Sequence, residues 1–79
     1  MKMFQGKKVT IIRIDPQHGS VSHYEPIECF EGVEEGCPMN LPSGGVTKEV
    51  TAVFPTVGNP FVLYIETEAK TTYLVVENP

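Results

Sequence analysis

The 79-residue sequence predicts an all-β fold, a small antiparallel five-stranded meander curled into an SH3-like or OB-like barrel or a compact sandwich. Three observations predict it. Phe61–Glu77 holds two apolar, β-branched and aromatic runs, FVLYIE and TTYLVVE, around a polar link, the sequence form of a β-hairpin. Val46–Phe54 alternates with a period of two. No stretch shows a helical period with caps.

In order, Lys8–Ile14 (KVTIIRI) reads as the first strand, with Val9 and Ile11 on one face and Ile12 and Ile14 on the other. Asp15-Pro16-Gln17-His18-Gly19 ends it in a turn, because Pro sets φ, Asp bonds the turn backbone and Gly takes positive φ. Val21–Tyr24 returns as a second strand. Pro26 lacks an N–H and makes that strand an edge or a bend, with Ile27–Phe30 able to continue beyond it. Glu31–Gly45 (EGVEEGCPMNLPSGG) has no period and is dense in Gly and Pro, so it reads as a long loop with a short helical turn near Val33–Gly36. The next strand, Val46–Phe54, places Val46, Lys48, Val50, Ala52 and Phe54 on its core face. Pro55–Pro60 is a stiff link into the hairpin, whose own loop is expected at Thr67–Lys70. Both faces of the hairpin are apolar, so both need cover, and an isolated two-stranded hairpin is not stable in water.

This length implies a single domain, residues 1–79. A chain of this size buries only about 60% of its unfolded surface, so a partner or self-association is expected to cover the second apolar face. The net charge of −4 argues against nonspecific binding to nucleic acid or to an anionic membrane. The start MKMFQGKK has no apolar signal segment and no run is long enough to span a bilayer. Two cysteines are too few for a disulfide scaffold, and the expected compartment is the cytoplasm.

Candidate chemistry is sparse. His18, His23, Cys29 and Cys37 are zinc-ligand types, but without a Cys-x-x-Cys pair; their plain reading is a turn residue, an exposed strand residue and two small apolar fillers. Cys37 as a nucleophile is opposed by Glu34 and Glu35, because negative charge raises a thiol pKa. Glu28, Glu31, Glu34 and Glu35 lack the spacing of a calcium loop. There is no phosphate loop and no nucleophile elbow, and the aromatics are not interleaved with arginines.

The favoured site is the loop itself. Val33, Met39 and Leu41 beside Glu34 and Glu35 would form apolar anchors with an acidic rim. The competing reading has the three apolar residues folding back to plug an open barrel end. The expected function is a non-enzymatic protein–protein interaction or assembly module with no cofactor. It would be an accessory subunit, a phage-type structural component or an inhibitor, acting through loop 31–45 or a sheet edge. The alternatives are a metal- or thiol-dependent protein using His18, His23, Cys29 and Cys37, and an OB-like nucleic-acid binder.

Overall fold

A computed structural model describes residues 2–42 and 44–78; Ser43, within the predicted loop, lies outside the described residues. It contains six strands: β1 (Val9–Asp15), β2 (Ser20–His23), β3 (Pro38–Asn40), β4 (Val46–Thr56), β5 (Asn59–Thr67) and β6 (Thr72–Glu77). They form one antiparallel sheet in the order β2-β1-β6-β5-β4-β3, curled into a half-barrel. No helix occurs among the described residues.

The hairpin forms as predicted from β5 and β6, with Leu63 opposite Val75 and Ile65 opposite Tyr73. Its loop is residues 68–71, one position later than expected. Because strand β6 also pairs with β1, the first predicted strand lies beside the last, Ile11 opposite Val75.

The sixth strand is the main correction. β3 falls inside Glu31–Gly45, where the sequence has no period. Three residues leave no periodic trace, and tertiary pairing makes the strand: Pro38 lies opposite Glu49 and Asn40 opposite Val46. The expected helical turn near Val33–Gly36 is instead a bridge at Val33 followed by a turn, in which the Gly36 N–H donates to the Val50 carbonyl. Extended pairing with neighbouring chain takes the hydrogen bonds a helical turn would need.

Past Pro26 the chain stays paired to the N-terminal segment. Ile27 and Val9 exchange both backbone hydrogen bonds, at 2.8 and 3.0 Å, Phe30 N–H donates to the Lys7 carbonyl, and Val33 bridges Met3. This bent ribbon carries Phe30 and Val33 over the inner side of the sheet. There they join Val9, Ile11, Met39, Val50, Leu63, Ile65, Tyr73 and Val75 in the core.

β4 also departs from the pattern. The pairing register shifts between Val50 and Ala52. A bulge turns the following side chains to the other side of the sheet. Val50 and Val53 thus both face the core and Phe54, expected inside, is exposed; a separate register shift against β3, between Pro38 and Asn40, goes with buried Thr47 and exposed Val46 at the start of the strand. Buried Thr47 ties β4 to β3, since its Oγ1 accepts the Met39 N–H at 2.9 Å. Thr47→Val keeps the shape and removes the acceptor. The expected loss is about 1–3 kcal/mol, the cost of an unsatisfied buried donor, read as a lower urea midpoint with unchanged slope.

Candidate functional site

Two of the residues singled out in the loop are taken into the core. Val33 is 2% exposed and Met39 is 1% exposed, both within the core. Leu41 is half-buried and packs against that core. As placed, Val33 and Met39 offer a partner no area, and the expectation of exposed apolar anchors is corrected accordingly. The reason is the small size of the sheet: its inner side needs large side chains from the connecting segment and the short strand β3 to fill it. Glu35 is exposed, and Glu34 is half-buried with its Oε1 3.6 Å from the Cys37 thiol.

The histidines and cysteines are not brought together. His18 lies in the β1–β2 turn, His23 ends edge strand β2, Cys29 is exposed and Cys37 half-buried, and both thiols are free. Among the described residues no three His, Cys, Asp or Glu side chains are grouped closely enough to hold a metal ion.

His18 serves the turn instead. Asp15 Oδ1 accepts the backbone N–H of Gln17 and of His18, at 3.1 and 3.3 Å, and Oδ2 lies 2.8 Å from His18 Nδ1. The His18 side chain, foremost among these partners, holds the Asp15 carboxyl below the 3.8 of an unperturbed group. A depressed carboxyl contributes stability above its unfolded pKa and loses it as pH falls through the folded one. Asp15→Asn is therefore expected to flatten the decline in stability as pH falls through and below 3.8, in urea titrations across that range.

The broadest apolar surface is the other side of the sheet. Directly opposed residues of an antiparallel ladder share a face, so the register assigns each outward side chain to a row. One row crosses five strands as His23, Ile12, Leu74, Tyr64 and Phe54. Beside it runs Val21, Ile14, Thr72, Glu66 and Ala52. On its other flank lie Thr10, Val76 and Val62.

Nine of these thirteen residues are apolar. Val21 is 60% exposed, Phe54 51% and Tyr64 38%, while Ile12, Ile14, Leu74, Val62 and Val76 are half-buried by their neighbours alongside. Phe54 and Tyr64 form a tilted ring pair with centroids 6.2 Å apart, a favourable aromatic geometry. Of the chain's six basic and ten acidic residues, the three rows contain one, Glu66.

Sequence reasoning came close to this surface by finding both faces of the hairpin apolar, but left the outer one without boundaries. The missing signal was register, which alone shows that Ile12 and Ile14 of β1 lie level with Leu74 and Thr72 of β6. Comparison with protein-family models, with curated proteins and with solved structures finds no match to this chain.

Proposed function

We propose that this chain is a non-enzymatic protein-interaction or assembly module, of the accessory-subunit, phage-structural or inhibitor kind, that docks through the outer face of its sheet. One observation carries the reading: the apolar rows that run across five strands with a single formal charge. Soluble monomers rarely expose contiguous apolar patches beyond a few hundred Å². The loop and edge surfaces suggested by the sequence give way to this face because the loop's largest apolar groups are used in the core.

The same face is poorly suited to nucleic acid, since no Lys or Arg stands in its rows to meet phosphate. An SH3-like or OB-like type for the half-barrel belongs to this reading. It is supported by the linking segment of residues 24–37, which crosses from edge strand β2 to edge strand β3 over the core. A reducing, cytoplasmic setting belongs to it too, supported by the two free thiols. No helix of the described residues is long and apolar enough to cross a membrane.

The test compares tagged wild type with Phe54→Ser plus Tyr64→Ser in native capture. Both side chains are more than a third exposed, so the fold should survive, as circular dichroism would show. A partner held by wild type and lost by the variant supports the reading. Equal recovery would place docking at an edge strand or at loop 31–45 instead.

A further inference from the structure

We infer that the occupant of the outer face is a second copy of this chain, the two sheets packed crosswise about a two-fold axis. This rests on the reading of that face as an interaction surface and names what covers it.

A body of 31 × 25 × 22 Å with 4975 Å² of accessible surface presents roughly a sixth of it, on the order of 800 Å², on one broad side, and about 800 Å² per partner is what a standard stable interface buries. A second copy seated squarely on that side, covering the rows and their rim together, would bury an area of this size.

The rows hold one carboxylate, so neither a basic nor an acidic partner finds anchoring charges there. The occupant must bring a broad, nearly neutral apolar face of its own, and this chain has one. The net charge of −4 comes from groups outside these rows except Glu66. In a dimer those groups lie at the rim or beyond, where salt screens their repulsion over about 8 Å.

A twisted, curled sheet has the outline of a hyperboloid, convex around the barrel and concave along the barrel axis. Two such outer faces fit when laid crosswise, the convex direction of one in the concave direction of the other, which is the orthogonal mode of sheet packing. Leu74 stands at the middle of the central row and on the middle of the three rows across β6, so it lies nearest the axis and meets its own counterpart. Tyr64 is next to it in the row, with Phe54 beyond. Tyrosine is enriched among the side chains that dominate interface energetics.

Sedimentation equilibrium of the purified full chain, from about 1 µM to about 1 mM, tests this, spanning the affinities of standard-size interfaces. The expected result is a particle of twice 8.7 kDa that dissociates on dilution. Added salt should tighten the dimer, because it screens repulsion between two like-charged copies; attraction to a basic partner would weaken instead. Leu74→Glu, which sets two carboxylates face to face at the axis, and Phe54→Ser plus Tyr64→Ser should each weaken association by about 30-fold or more. The second variant changes only exposed side chains and keeps the test valid if the first one unfolds.

A particle of the single-chain mass at every concentration overturns the inference, as does a dimer indifferent to the face variants, which would point to edge pairing at β2 or β3. If wild type is monomeric yet captures a different protein that the double variant loses, the second-copy inference fails and the interaction reading stands. With neither self-association nor a face-dependent partner, both fail.

Discussion

Phe30→Ala is expected to cost about 3–5 kcal/mol, a large share of the whole stability of the domain. Phe30 is 1% exposed and is the bulkiest fully buried side chain. It comes from the paired segment that crosses the inner side of the sheet, where its N–H donates to the Lys7 carbonyl at 2.9 Å and its carbonyl accepts from Gly6 at 2.7 Å. Those bonds hold the backbone in place, so the walls of the vacated site cannot collapse to fill it. Truncating a buried Phe costs about 3–5 kcal/mol by lost transfer energy and residual cavity. A domain of this size has total stability on the order of 4–12 kcal/mol.

Urea unfolding of Phe30→Ala beside Phe54→Ala makes the comparison. The second removes the same atoms from a residue that is 51% exposed and should cost less than about 1 kcal/mol. Equal midpoints for the two variants would show that the segment around Phe30 is not part of the core. That outcome would show the aromatic on the outer face to be expendable for folding, as a side chain kept for association would be.

Gly32→Ala is the second large effect, expected to cost about 2–4 kcal/mol by combining left-handed strain with a forced displacement. Gly32 has φ +94°, and a Cβ there would stand 2.6 Å from Lys2 Cβ, 3.2 Å from Gln5 Cβ and 3.3 Å from the Met3 carbonyl oxygen. A Cβ is fixed to its backbone, so relief requires the whole Lys2–Gln5 segment to shift. That shift would break the Met3–Val33 bridge, whose bonds are 2.8 and 3.1 Å. Gly36→Ala separates the two causes. Its φ is +89°, but a Cβ meets nothing within 4 Å, so only the conformational strain of about 1–2 kcal/mol should appear. Thermal unfolding should place Gly32→Ala below Gly36→Ala by about 5 °C or more, and equal melting points would show that the N-terminal segment gives way freely.

Much of the fold was legible in the residues because the signals were local. Alternation and β-branched runs mark β1, β4, β5 and β6, and Asp15-Pro16 with Gly19 marks the first turn. The segment from Glu31 to Gly45 was not legible as structure. Its Gly and Pro residues suit bends, and a three-residue strand is too short to show a period. That Val33 and Met39 belong to the core follows from what they meet across the chain, and sequence spacing carries no record of that. The bulge at Val50–Ala52 is similar: one extra residue reverses which side chains face inward, and the amino acids around it read as a regular strand.

By itself, the sequence determined that this protein is built of strands, where its hairpin lies, and that the hairpin has two apolar faces. Only the tertiary structure decided which face is core and which is surface. Phe30, Val33 and Met39 can cover one side of the sheet, and they pack against Ile11, Leu63, Ile65 and Val75. The opposite rows, centred on Leu74, Tyr64 and Phe54, are left as surface, since 79 residues supply enough large side chains to fill one side of a six-stranded sheet and no second layer for the other.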